Sequence, residues 1–250
     1  MDFRFLLFIF FGILPSLVWL TYYLSKDAHP ESKRMVTKIF LWGALITIPV
    51  FFVQIALSEI LTRINLPAIY ISLLYWFIVI SFTEEIFKYF VVKWKVLNHH
   101  EFDEPIDTMI YMIIVALGFA ALENILYLFT PTDGLSLNDI LNRTLIITFI
   151  RFIGATFLHT LCSGVIGYFL ALSFYDVKNG PRYKLCGFLF AVILHGLYDF
   201  SIMTIDGSMK IIIPVLILIM LAFTVVMGFE RLKKIKSICV NLKIKAQATK

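Results

Sequence analysis

Residues 81–90 read Ser81-Phe82-Thr83-Glu84-Glu85-Ile86-Phe87-Lys88-Tyr89-Phe90, and they lie inside an apolar run from Ala68 to Val92. About 20 apolar residues suffice for an α-helix to cross a bilayer, so this run is long enough to span. Its three ionisable side chains are out of place in lipid. Composition decides which half of that contradiction to keep. Hydrophobic residues make up 60% of the 250 and charged residues 16%, with a mean hydropathy of +0.88. Soluble domains run nearer half apolar and a quarter charged. A chain with so little polar surface takes lipid as its solvent, and the charges at 84–88 are held in the membrane for a reason.

Six further runs have the length to span: Phe5–Leu24, Val36–Leu57, Thr108–Phe129, Thr144–Phe174, Lys184–Thr204 and Lys210–Phe229. The first has no small-residue cleavage signature after it and reads as a retained helix. Breakers such as His29-Pro30, Pro67, Pro131, Asn179-Gly180-Pro181 and Asp206-Gly207 separate the runs. The expected fold is all-α: a polytopic bundle of about seven spans, residues 1–230 forming one transmembrane unit and 231–250 a basic tail. The net charge of +5 would suggest nucleic acid in a soluble protein. Here no basic patch is interleaved with aromatics, and 16 of the 22 Lys and Arg fall on the odd-numbered loops and the tail. That bias predicts an outside N-terminus and a cytoplasmic C-terminus near anionic lipid. The three cysteines, Cys162, Cys186 and Cys239, form no CxxC and no disulfide framework.

Ionisable residues recur in the cores of four runs. Besides Glu84, Glu85 and Lys88 there are Glu123 in the fourth, Arg151 and His159 in the fifth, and His195 and Asp199 in the sixth. An ionised group at mid-bilayer costs about 2.5–3.5 kcal/mol on insertion scales, so retained ones are usually paired, interior and functional. Glu84 and Lys88 are four residues apart, as are Glu123 and Tyr127, and His195 and Asp199, so each pair shares a helix face. An Asp one turn from a His can fix its tautomer. Gly118, Gly154, Gly164 and Gly167 allow close helix approach. Converging Glu and His suit hydrolysis: a shielded glutamate serves as general base, and histidines donate to an oxyanion or hold a metal such as zinc. HExxH and GxSxG are absent.

In order along the chain, these constellations resemble the PrsW family of intramembrane proteases, relatives of the CAAX-processing membrane peptidases. Glu84-Glu85 with Lys88 matches the first motif. Phe119, Glu123 and Tyr127 match the second, His159 with Gly167 the third, and His195 with Asp199 the fourth. The resemblance covers about Pro15 to Phe200 and implies cleavage of a membrane-tethered protein, such as an anti-sigma factor, in a bacterial or archaeal membrane. Carried over, Glu84 and Glu85 supply the base, and His159 and His195 bind the oxyanion or, with Glu123, a metal. Asp199 and Glu123 orient or ligate, and Lys88 holds the glutamate pair, with Tyr127 in support. CAAX-processing relatives carry a His where this chain has Glu123, which keeps metal-assisted and metal-free hydrolysis both open.

Other readings stand beside these. Glu123 can serve as the structural partner of Arg151. His99-His100, beside Glu101, Asp103 and Glu104, reads as a solvated loop. Buried Glu, Lys, Arg and His also mark ion-coupled transporters, and a non-catalytic scaffold would bind a membrane partner through the same groove.

Overall fold

The computed structural model describes residues 3–26, 31–130 and 134–235. Most of the basic tail, with Cys239, and the breakers His29, Pro30 and Pro131 lie outside them. Nine α-helices appear among the described residues: α1 (Phe3–Leu24), α2 (Lys33–Thr62), α3 (Ala68–Leu74), α4 (Thr83–Lys95), α5 (Pro105–Leu128), α6 (Leu137–Ile153), α7 (Ala155–Tyr175), α8 (Gly180–Thr204) and α9 (Met209–Leu232). A π-helical segment, Tyr75–Phe82, joins α3 to α4. Counting α3 through α4 as one span and α6 with α7 as another, seven helical spans are long and apolar enough to cross a membrane. Phe223, Phe149, Phe52 and many other large apolar side chains stand exposed on the outside, a surface that water would not tolerate.

Helix starts lie outside the apolar runs because polar caps set them. Ser32 accepts from the Met35 N–H at 3.1 Å and starts α2 three residues before Val36. Glu104 and Asp107 cap α5 reciprocally, with Pro105 opening the helix. Ser136 accepts from the Asp139 N–H and starts α6 at Leu137, seven residues before Thr144. The fifth run is also not one helix. It breaks at Gly154 (φ −102°, ψ −95°), where the Tyr198 hydroxyl lies 2.5 Å from the place a Cβ would take.

The bundle is built around α5, whose residues 105–121 are all buried. It packs against α1, α2 and α7. Gly118 and Gly43 put the α5 and α2 backbones in direct contact, since a Cβ on either would run into the carbonyl of Phe40 or Val115. Gly167 does the same for α7, where a Cβ would lie 2.6 Å from Met109 Cα. Gly164 meets only the side chains of Val225 and Ile113. The backbone contacts hold α2, α5 and α7 tightly enough for short polar side chains to meet between them.

Candidate active site

The first group comes from α4. Lys88 lies three and four residues beyond the two glutamates and reaches both: Nζ donates to Glu85 Oε1 at 2.8 Å and lies 3.5 Å from Glu84 Oε2. The face of the Phe119 ring sits 4.5 Å from the same ammonium. Adjacent positions on a helix diverge by about 100°, and the two glutamates accordingly do different things. Glu85 is fully enclosed. Its Oε1 also accepts from His195 Nδ1 at 2.9 Å, and its Oε2 from the Ser163 hydroxyl at 3.1 Å. Glu84 lines a cavity of about 480 Å³ with Gln54, Glu123, His159, His195 and Asp199. Its Oε1 accepts from Gln54 Nε2 at 3.2 Å, and its buried Oε2 has no hydrogen-bond donor.

The partners orient both histidines and fix the tautomer of His159. A carboxylate only accepts and an ammonium only donates. His195 Nδ1 therefore carries a proton toward Glu85, and its Nε2, 3.3 Å from Asp199 Oδ2, is a donor when the ring is protonated and offers a lone pair when it is neutral. His159 Nε2 donates to Glu123 Oε2 at 2.8 Å, and its Nδ1 accepts from Lys88 at 2.9 Å. Both rings turn a nitrogen to the same place: His159 Nδ1, which Lys88 also engages, lies 3.7 Å and His195 Nε2 3.8 Å from Glu84 Oε2. The imidazole centroids are 5.1 Å apart.

The sequence reading had Asp199 orienting His195. In the structure the two side chains meet, Asp199 Oδ2 lying 3.3 Å from Nε2 on the cavity side, and Glu85 holds Nδ1 on the other side. Four-residue spacing on α8 brings the two side chains together without deciding which nitrogen is met. The reading also placed Glu123 with the histidines as a third ligand. The donors that gather are Glu84, His159 and His195, with Glu123 behind the His159 ring. Arg151 donates to Glu123 at 2.7 Å and also to Asn124 Oδ1. Its guanidinium lies 3.9 Å from the Tyr127 ring centroid. Asn124 in turn donates to Thr156 and to the Gly12 carbonyl. Glu123 is thus both the partner of Arg151 and the support of His159.

Gln54, Ser163 and Asn124 were missed. None is ionisable, and a search for charges in apolar runs passes over them. A lone amide in Phe51-Phe52-Val53-Gln54-Ile55-Ala56-Leu57 was the available signal. A second group, His99, His100 and Glu101, lies close together in the α4–α5 loop; His100 is exposed, and His99 Nδ1 accepts from the Glu101 N–H.

Four helical spans thus bring to one cavity the residues that sequence motifs had singled out separately. The family model described as PrsW family intramembrane metalloprotease matches residues 31–227. The chain belongs to the PrsW family. The protein Protease PrsW of Oceanobacillus iheyensis is 31% identical over 208 residues, covering 83% of this chain and 88% of that one. Its namesake in Geobacillus kaustophilus is 32% identical over 194 residues, 77% of this chain and 78% of the relative. The one in Bacillus subtilis is 27% identical over 229 residues, 91% and 94% of the two chains. No solved structure matches the chain. Family and fold together make this a membrane protease, a multi-pass protein of the bacterial cell membrane with a protein substrate.

The family description names a metal, and the donor set fits one. Buried Glu84 Oε2 has no hydrogen-bond donor, and His195 Nε2 lies between it and Asp199 Oδ2, at 3.8 and 3.3 Å. Glu84, Glu85, Glu123 and Asp199 put four carboxyl groups beside the two cations Lys88 and Arg151, acidic surroundings that favour a cation. Two imidazoles with a carboxylate suit zinc, and a carboxylate on each far imidazole nitrogen is the usual support of metal-bound histidine.

Proposed function

We propose that the protein is an intramembrane endopeptidase that hydrolyses a peptide bond in a membrane-tethered protein, such as an anti-sigma factor, at the cavity between α2, α4, α5, α7 and α8. The observation that carries this reading is the convergence of two carboxylate-backed imidazoles on Oε2 of Glu84. Glu84, His159 and His195 would hold a zinc-type ion. Such an ion supplies Lewis acidity, polarising the scissile carbonyl and easing the loss of a proton from water.

The remaining roles belong to the protein. Glu85 and Glu123 orient His195 and His159. Lys88 and Arg151 offset the carboxylates that do so. Asp199, the cavity carboxylate engaged by neither cation, takes a proton from the attacking water as the C–O bond forms. It delivers that proton to the departing amide nitrogen as the C–N bond breaks. The low-dielectric walls supplied by Phe119 and Leu158 exclude bulk water.

A second reading rests on Lys88, whose ammonium already meets His159 Nδ1. In that reading Glu84 itself is the base, without a metal, and the protonated imidazole of His195 donates to the oxyanion.

The test is cleavage of single-span substrates by the purified protein in detergent, with and without a strong chelator. Cleavage lost on chelation and restored by zinc is expected. Chelator-resistant cleavage by protein shown metal-free in elemental analysis would establish the second reading. Failure to cleave any single-span substrate, zinc present, would overturn both.

A further inference from the structure

Each imidazole in the cluster has a partner that fixes its orientation: Glu85 for His195 and Glu123 for His159. Glu84, the third converging group, has one too, and it comes from a helix that brings no charge to the site. Gln54 on α2 donates from Nε2 to Glu84 Oε1 at 3.2 Å and lies 3.4 Å from Thr83 Oγ1.

The chemistry of the neighbours settles which end of the amide faces α4. Glu84 offers only acceptors there. The Thr83 hydroxyl proton is committed to the backbone carbonyls of Val79 and Ile80, at 2.5 and 2.9 Å. Both groups next to the amide therefore require a donor, and the NH₂ supplies it. The other polar residue that α2 places on the cavity wall, Thr47, directs its hydroxyl to the carbonyls of Gly43 and Phe119. Gln54 is the contact through which α2 reaches the cluster.

The result is a carboxylate with its two oxygens assigned. Oε1 is engaged by the amide, and Oε2 is buried, has no hydrogen-bond donor, and faces His159 Nδ1 and His195 Nε2. Without the amide only the Lys88 ammonium, 3.5 Å from Oε2, restrains the carboxyl group against turning about its last bond.

We infer that Gln54 is a positioning residue that holds Glu84 with Oε2 toward the two histidines, and so completes the ion-binding set. The inference rests on the metal-dependent reading of the site. Its role parallels that of outer-shell partners in known metal sites, whose loss weakens metal binding by about 10–100-fold.

The experiment measures zinc binding by the purified full-length protein in detergent, by competition with a chromogenic chelator, for wild type, Gln54→Leu and Gln54→Glu. Neither variant keeps the amide donor, and Gln54→Glu keeps the polar character of the position. Thermal unfolding without and with zinc is recorded in parallel. The expected result is zinc binding about 10–100-fold weaker in both variants, a smaller zinc-induced rise in Tm, and an unchanged zinc-free Tm. Wild-type zinc binding retained within twofold in the variants overturns the role of Gln54 and leaves the metal reading intact. A parallel fall in zinc-free Tm and zinc affinity in both variants overturns it as well, by showing a structural role. Absence of zinc binding in the wild type overturns the metal reading, and the inference with it.

Discussion

The helices α5 and α9 are both 24 residues long, and α9 is the more apolar, with a mean hydropathy of 2.9 against 2.0 in their most apolar stretches. In a soluble protein the more apolar helix would be the core. Here the order is reversed: 78% of that stretch of α5 is buried against 28% for α9. Buried positions on α9 form a stripe through Pro214, Ile217, Leu221, Val225, Gly228, Phe229 and Leu232, and the opposite side of the helix, with Phe223, faces outward. Lipid tails are as apolar as leucine, so burial in a membrane is not driven by hydrophobicity. It follows close backbone packing and the satisfaction of polar groups. Gly118, Glu123 and Asn124 are what put α5 in the centre.

Three substitution experiments press on that contrast. The largest effect is expected at the cluster itself. His195→Ala and Glu84→Gln should each lower cleavage by about 10³-fold or more, the scale of losing one member of a catalytic unit, while the protein still elutes as a folded monodisperse species. Cleavage rates within tenfold of wild type would remove those residues from the chemistry. Next comes the α2–α5 backbone contact. Gly118→Leu places a side chain where the Phe40 carbonyl lies and should destabilise the fold by about 3 kcal/mol or more, beyond the usual overpacking range. Thermal unfolding in detergent checks this, and an unchanged Tm would mean that the two helices do not pack in this way.

The smallest effects separate support from scenery. Arg151→Met removes the partner of Glu123 and should slow cleavage by about 10–100-fold. Phe223→Leu, on the outward face of α9, should leave both the rate within twofold and the Tm nearly unchanged. Equal losses in these two variants would erase the distinction between the helices.

What could be read from the sequence follows the same division. Charges in apolar runs are visible one residue at a time, so the seven spans and Glu84, Glu85, Lys88, Glu123, His159, His195 and Asp199 could be named before any coordinates. Pairings between helices could not. Spacing along α8 tied Asp199 to His195, but the proton on Nδ1 answers to Glu85, 110 positions away. The place of Glu84 opposite both imidazoles depends on how α4, α7 and α8 are juxtaposed, and no local pattern encodes that. Ser163 and Gln54 carry no charge to betray them. The break at Gly154 was hidden because a glycine within a long apolar run also suits close packing.

The π-helical segment Tyr75–Phe82 ends one residue before Thr83 begins α4. A π turn holds more residues than an α turn, so the segment acts as a phase shifter between the outer part of this span and the part that carries Glu84, Glu85 and Lys88. In an α-helix each residue adds about 100° of rotation, and in a π-helix less. The same eight residues closed into regular α turns would present α4 to its neighbours rotated by roughly one α-helical residue, with Glu84 turned out of line with the cavity. The site therefore depends on how the chain is wound at residues 75–82 as well as on its acids and imidazoles.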